Sequence, residues 1–556
     1  MHRIWLFLIP LCCTQGLHAQ MLYVPLQHST IQSAIDSATG GDTVVVSSGT
    51  YQENIDFKGK AITVQSADPN DPNIVASTII DGSTPADQNF GSVVLFKSGE
   101  DHNSVLAGFT ITGGTGSWLV VAWKYSGIFW NRCGGGILCC NMSEPTITKN
   151  VFVNNRAGEG GGIYIYGDPV NPSDPVDPAV HVNPIITDNA FFNNTALSAH
   201  GFTPPNTTYA ANEHGDGGAI ICYQGVDANI TDNLIIGNHA EWYGGGIHCR
   251  QWSNPLIAEN EIADNNSSLG AGIHITYTSA PHIVDNLIKA NIAGGLGGGG
   301  IYVYYNSNPL IERNTITQNV SSNGAGIAVF WTSNPIIRDN FIYKNVSGAG
   351  IRVKGGSIPV ITNNTIVANT APSYGGGVDC LTDSAPIITN NIITSNGGSG
   401  IYALSTPPVI KYNTVWGNKT GNYNPIIGDQ TGINGNISVD PCFVRPDINN
   451  FHLDYNSPCK NAGDPNFTAA TGETDIDYEP RIFNAKVDIG ADEVVTNPFD
   501  LDNDGIIDYY ELGVLTNEWL WTGSGLQTDF NSDGIVNFDD FAVLANQWLW
   551  TAGWRK

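Results

Sequence analysis

Two twelve-residue stretches near the C-terminus place oxygen-bearing side chains at a spacing that suits calcium: DLDNDGIIDYYE (500–511) and DFNSDGIVNFDD (529–540), 29 residues apart. A calcium loop of this length takes ligands from positions 1, 3, 5, 7, 9 and 12 and turns sharply on a Gly at position 6. The first stretch offers Asp500, Asp502, Asp504, the Ile506 carbonyl, Asp508 and Glu511 around Gly505. The second offers Asp529, Asn531, Asp533, the Ile535 carbonyl, Asn537 and Asp540 around Gly534. Two Ca2+ ions are therefore expected. Each loop leads into a helical pattern, YELGVLTNEWLW and FDDFAVLANQWLW, in which Leu512, Leu515, Trp519, Leu520 and Phe541, Leu544, Trp548, Leu549 are expected to pack the two helices together.

A second set of residues could do sugar chemistry. His248, His274, Arg352 and Asp379 recur at one position of a repeat, with Arg250 and Lys354 two residues further on and Asp383 close by. A lyase would need a group that neutralises a uronate carboxylate and a base such as His, Arg or Lys; a hydrolase needs two suitably separated carboxylates. Around these lie Tyr164, Tyr166, Tyr223, Trp252, Tyr277, Tyr302, Tyr304, Tyr305, Phe330 and Trp331. An exposed aromatic strip suits the apolar faces of sugar rings. The competing reading is that aromatics favour strands and stack on one another. No polygalacturonase-like or pectate-lyase-like signature accompanies the charged residues, which leaves catalysis open.

The element that must position these residues is a phrase of about 26 residues repeated ten times between Gly134 and Asn418. A fixed period of this size makes a solenoid in which each coil stacks on its neighbours. Each copy carries three short apolar segments separated by Gly, Pro or Asn. In the first, inward positions alternate with variable ones (Ile247 and Cys249, Ile273 and Ile275, Ile301 and Val303), the period of a strand with one buried face. The other two bury one Ile each, as Ile257 and Ile262 or Ile283 and Ile288 do. Three parallel strands per coil give an all-β fold, a right-handed parallel β-helix. Its register is marked by two asparagine columns, Asn150 to Asn413 and Asn155 to Asn418, whose amides can hydrogen-bond from coil to coil at about 4.8 Å spacing. The residues between the alternating inward positions, including the His, Arg and aromatic columns, are expected to face outward. A further column, Asp188, Asp232, Glu259, Asp285, Arg313, Asp339, reads as solvated corners relieved by Arg313, with a calcium column as the alternative.

This repeat resembles the right-handed parallel β-helix family, the pectin-lyase-like fold of polysaccharide lyases, glycosidases and many secreted proteins. The opening TIQSAIDSATGGDTVVVSSGTYQENIDFKGKAITVQS (30–66) looks like that family's start, which implies a capping helix with Ile31, Ala34, Ile35 and Ala38 inward. The segment from Phe451 to Glu493, with its VDIGADE end, is similar to the closing segment of such proteins. The paired calcium loops resemble a type I dockerin, although Glu511 is closer to an ordinary EF-hand. That resemblance implies a small α-helical domain that folds with calcium and docks to a cohesin-like partner; a surface-attachment tail is the alternative.

The expected organisation is a signal peptide at 1–20, with Arg3 before an apolar core; a cap and first coils at 21–133; the repeat region at 134–418; a closing segment at 419–495; and the calcium module at 496–556. The chain is therefore read as exported, with no membrane span. A net charge of −28 over 556 residues argues against nucleic acid or anionic membrane as partner. Cys139, Cys222, Cys249 and Cys380 fall at inward strand positions, whereas Cys442 and Cys459 are expected to form a disulfide. The insertions at 167–184 and 197–216, with His200, His214 and Asp216, enlarge neighbouring coils and could wall a binding site. The functional expectation is association with extracellular polysaccharide; the alternatives are a non-catalytic adhesin or a protein-binding scaffold.

Overall fold

Stacked copies of one sequence bring identical residues into register, and the interior follows from that. The computed structural model describes residues 19–123, 127–167, 181–198, 214–295, 297–371, 374–483, 485–502 and 504–553. The leader, most of the 167–184 insertion and His200 lie outside them. The chain winds as a parallel β-helix whose coils build sheets of fourteen, thirteen and twelve strands. Ile247, Ile273, Ile301, Ile327 and Ile351 are paired neighbours along the twelve-stranded sheet, and all are fully buried. Cys139, Cys222, Cys249 and Cys380 point inward as expected, as free thiols. A fourth sheet of five strands, from Arg156–Ala157 to Ile292–Ala293, adds a short side to some coils. Its strands are too short to show a period in the sequence.

Both asparagine columns are hydrogen-bonded ladders. Asn291 Nδ2 donates to the Ile262 carbonyl at 2.8 Å and to Asn319 Oδ1 at 2.9 Å, while its own Oδ1 accepts from Asn265 N and Nδ2, each at 3.0 Å. The first ladder runs one coil further than the repeat, to Asn436. Replacing Asn291 by Ala leaves buried backbone and amide groups unpaired, so we expect a loss of about 2–3 kcal/mol in denaturant unfolding. A loss below about 0.5 kcal/mol would show that the ladder does not hold the coils. The coils approach closely at their glycines: a Cβ on Gly272 would lie 2.5 Å from the Gly300 carbonyl oxygen.

The start of the chain is capped by a helix, Ile31–Ser37, which buries Ile31, Ala34 and Ile35 behind an N-capping Thr30; Ala38, its C-cap, is also buried. Three features were not legible in the sequence. A short helix, Pro72–Ser77, decorates an early coil. An antiparallel hairpin, Gly116–Trp123 with Gly127–Cys133, leaves the coils within the segment read as plain first coils. The closing segment does not end the rod but runs back along its flank. Gly490 N donates to the Asn390 carbonyl at 2.8 Å, Ala491 N to Thr365 Oγ1 at 3.0 Å, and Arg338 Nη1 lies 2.6 Å from Glu473 Oε2. Cys442 and Cys459 stand as separate thiols, one exposed and one buried against Thr414, so the expected bridge is absent.

The C-terminal module holds two helices, Tyr509–Asn517 and Phe538–Asn546, each behind an acidic loop and each with a capping box, from Asp508 with Glu511 and Asn537 with Asp540. Its core is Ile507, Leu515, Val536 and Leu544, with Leu512 and Trp519 partly buried around them. The helices stop before the Trp-Leu-Trp ends. Leu520 and Leu549 adopt left-handed backbone and point to solvent, and Phe541 is also exposed, which corrects their expected packing role. The reason is a backbone exchange between the repeats: Leu520 N donates to the Val536 carbonyl at 2.8 Å and Leu549 N to the Ile507 carbonyl at 2.9 Å. Trp548 instead packs on Tyr509, ring centroids 5.5 Å apart. No helix among the described residues is long and apolar enough to cross a membrane.

Candidate functional site

The columns expected to be exposed leave the β-helix interior but are covered. Tyr164, Tyr166, Tyr223, His248, Arg250, His274, Tyr302, Phe330, Arg352 and Asp379 are all buried. Over Tyr164, Tyr166 and Tyr223 lies the hairpin, through Val121 and Leu119. Further along, the corner residues Tyr243 and Leu269 close over the histidines. Tyr243 stacks on His274 at 4.9 Å, His274 meets His248 at 4.7 Å, and Tyr302 meets His274 at 5.2 Å. Between these rings remains a cavity of about 280 Å3, lined by His214, His248, Arg250, His274, Tyr304 and Trp331 among others. One coherent site replaces the long open strip.

Register brings its polar groups together. Strands Ile247–Arg250 and Ile273–Thr276 pair so that His248 faces His274 and Arg250 faces Thr276. Arg250 Nη1 lies 3.1 Å from Asp216 Oδ2, with both side chains buried, and the guanidinium sits 5.0 Å from the Tyr223 ring centre and 5.7 Å from that of Tyr277. Glu159 and Asp216 are bridge partners on adjacent coils. Burial pushes both carboxyls above their usual range, and Arg250 pulls them part of the way back. Burial drives His248 well down and, with Arg250, lowers His274 to about 3; His214 falls to about 4. Neither ring nitrogen of His248 or His274 has a hydrogen-bond partner.

These histidines make a pH prediction. An unfolded His titrates near 6.5, so below that pH the unfolded chain takes up protons that the folded His274 refuses down to about 3. Its contribution is fully present above pH 6.5 and is lost as the pH falls through the window between. The thermal midpoint of the native protein should therefore fall more steeply between pH 6.5 and 4 than that of His274→Phe. Parallel curves would overturn this.

Glu159, Tyr243 and Leu269 escaped the sequence reading, although a signal was present: with Asp216, each directly precedes the glycine-rich run of its coil. Asp216 was read only as part of an insertion wall. The other charged candidates do not join the cluster. Arg352 and Asp379 form their own buried pair, Nε to Oδ2 2.7 Å, with Asn323 Oδ1 2.6 Å from Arg352 Nη1. Lys354 is exposed over the Phe330 ring, and Asp383 is exposed at a left-handed corner. Among the remaining aromatics Trp252 is buried, Tyr277, Tyr304 and Tyr305 are half-buried, and Trp331 is 56% exposed at the cavity. Trp252, Tyr277, Tyr305 and Trp331 all adopt positive φ at the same corner, where the next coil uses Gly355 and Gly356.

In the acidic corner column, Arg313 clamps Asp285 through Nε at 2.9 Å and Nη2 at 3.1 Å, while Glu259 is raised chiefly by Asp232. In the C-terminal loops, carboxylate oxygens of Asp500, Asp502 and Asp504 lie within 4.8 Å of one another. Glu511 reaches back over the first loop, accepting from Leu501 N at 3.1 Å, and Asp540 does the same from Asn531 N at 3.1 Å. Burial, then Asp504 and Asp502, push Asp500 up to about 6. A divalent cation fits that oxygen set and would relieve its repulsion.

A search of curated proteins finds no sequence match. Among solved structures, a double mutant of the periplasmic alginate epimerase AlgG is 14% identical, with 76% of this chain and 84% of that chain covered and a TM-score of 0.39. The PL6 family alginate lyase AlyGC is 15% identical, with 76% and 54% covered and a TM-score of 0.39. Residues 171–320, 291–419 and 342–439 match the family model described as "Right handed beta helix region". The described coils are an all-β parallel β-helix, in agreement with that description.

Proposed function

We propose that this protein binds an acidic extracellular polysaccharide, seating one uronate ring in the cavity beside Arg250. The observation that carries this is a buried guanidinium, flanked by aromatic rings, at the wall of a cavity large enough for one sugar ring. Arg250 holds Asp216 at 3.1 Å and also lines the cavity, so the carboxylate of a uronate entering it would meet the same guanidinium. Trp331 and Tyr304 would supply the stacking faces. The aromatics at the left-handed corner support the same reading. Of these, Tyr277 and Trp331 line the cavity, Tyr277 half-buried and Trp331 exposed.

A general acid or base works best with a pKa near the operating pH. His274 at about 3 is far from it, whereas Glu159, raised by burial to about 7, is close, so catalysis is followed in the same test as binding. The C-terminal module is proposed to take up two Ca2+ ions through the loop residues named above. By its resemblance to type I dockerins it would attach the β-helix to a cohesin-like partner, and the leader would direct export. The binding claim is tested by retention on immobilised alginate and polygalacturonate against a neutral glucan, with ultraviolet absorbance followed for unsaturated ends. Retention on the uronate polymers alone is expected, weakened by Trp331→Ala with Tyr304→Ala. Equal retention on all three overturns uronate recognition, and new unsaturated ends overturn the non-catalytic reading.

A further inference from the structure

The flank segment holds a second cluster, remote from Arg250. His452 lies in the strand Asn450–Leu453, its ring set edge-on against Phe341 at 5.1 Å. One nitrogen of His452 and one carboxylate oxygen each of Asp477 and Asp492 lie within 4.8 Å of one another. His452 Nε2 is 3.0 Å from Asp477 Oδ2. The opposite nitrogen, Nδ1, lies 2.7 Å from Asn450 Oδ1, an acceptor that fixes a proton on Nδ1 and leaves Nε2 as the nitrogen that faces Asp477, through a proton in the metal-free protein or through a shared cation. Metal-binding histidines are commonly oriented by such a partner. Asp492 is 1% exposed; its Oδ2 accepts the Leu453 N–H at 2.6 Å, and its Oδ1 has no hydrogen-bond partner. Asp492 thus places a buried carboxylate oxygen without a hydrogen-bond partner close to a second carboxylate and to an imidazole.

We infer that His452 Nε2, Asp477 and Asp492 form a binding site for a divalent transition-metal ion of the Zn2+ class. One imidazole with two carboxylates suits such ions, whereas Ca2+ takes oxygen ligands alone. His452 and Asp477 also line a groove of about 480 Å3, which gives the ion a route from solvent and room for water to complete its shell. The three ligands come from separate parts of the flank segment, so the ion would clip its strand to its loop and to its VDIGADE end.

The test uses the full-length protein, stripped of transition ions and kept in excess Ca2+ so that the C-terminal loops are not in play. Zn2+ is then titrated by calorimetry, with thermal unfolding measured in parallel. We expect one site of micromolar affinity or tighter, a raised thermal midpoint, and at least a tenfold loss of affinity in both His452→Gln and Asp477→Asn. Asp477→Asn keeps its shape and lies at the groove, so its metal-free unfolding curve serves as the folding control. Three results would overturn the inference: no Zn2+ binding, equal affinity in both variants (which would place the ion at other histidines such as His248 and His274), or displacement by a hundredfold excess of Ca2+.

Discussion

Arg250→Ala will lose most of the affinity for uronate polymers and also destabilise the β-helix. Removing the guanidinium leaves Asp216 buried without its cation, a situation that costs about 3–5 kcal/mol. The binding loss is expected to be about tenfold to hundredfold, from the roughly 1.5–3 kcal/mol that a hydrogen bond to a charged group contributes. The two effects can be separated. In Arg250→Ala with Asp216→Asn the stranded charge is gone, so stability should recover in part while binding does not. Arg250→Lys keeps the charge but loses the planar group between Tyr223 and Tyr277, and should bind at an intermediate level. Denaturant melts and retention on alginate read the two quantities. Recovery of binding in the double variant would mean that Arg250 serves the fold alone.

Calcium removal will unfold the C-terminal module and leave the coils intact. The carboxylates of Asp500, Asp502 and Asp504 converge, and the module's apolar core rests on four fully buried side chains. A core that small needs an additional source of stability. Ion binding at a thousandfold excess over Kd adds about 4 kcal/mol. Limited proteolysis of the whole protein should therefore cut between residues 497 and 553 in chelator and spare that stretch in Ca2+. Asp500→Ala and Asp529→Ala should each weaken this protection, since each loop's first residue holds its turn through the Gly505 or Gly534 amide. Protection that persists in chelator would sink the calcium reading.

The fold was legible because it is written once per coil. An inward Ile and a ladder Asn must occupy the same place in each turn, so the pattern of Ile247, Ile273 and Ile301 carries the strand, and Asn265 and Asn291 the register. The site was legible only in its membership. His248, Arg250 and His274 could be placed on one face, yet periodicity reports which way a residue leaves the coil and not what lies over it. The cover comes from a hairpin that occurs once, at 116–133, and from Tyr243 and Leu269 at a corner whose occupants change from coil to coil. Features that occur once have no period to betray them. The same holds for Leu520 and Leu549, whose helical spacing gave no sign that each repeat would trade backbone hydrogen bonds with the other.

The flank segment also fixes an order of events. Tyr478 meets Arg313, Glu473 meets Arg338, Ala491 meets Thr365, Asp464 meets Asn390 and Cys459 meets Thr414, so residues made late in synthesis cover five coils made earlier. A chain emerging N-terminus first can stack its coils as they appear, each on the last. The side formed by Phe341 and Val367 stays bare until residues 451–491 arrive to cover it. Completion therefore belongs to the last fifth of the chain, and a truncation before Phe451 would leave a rod with correct coils and an adhesive flank.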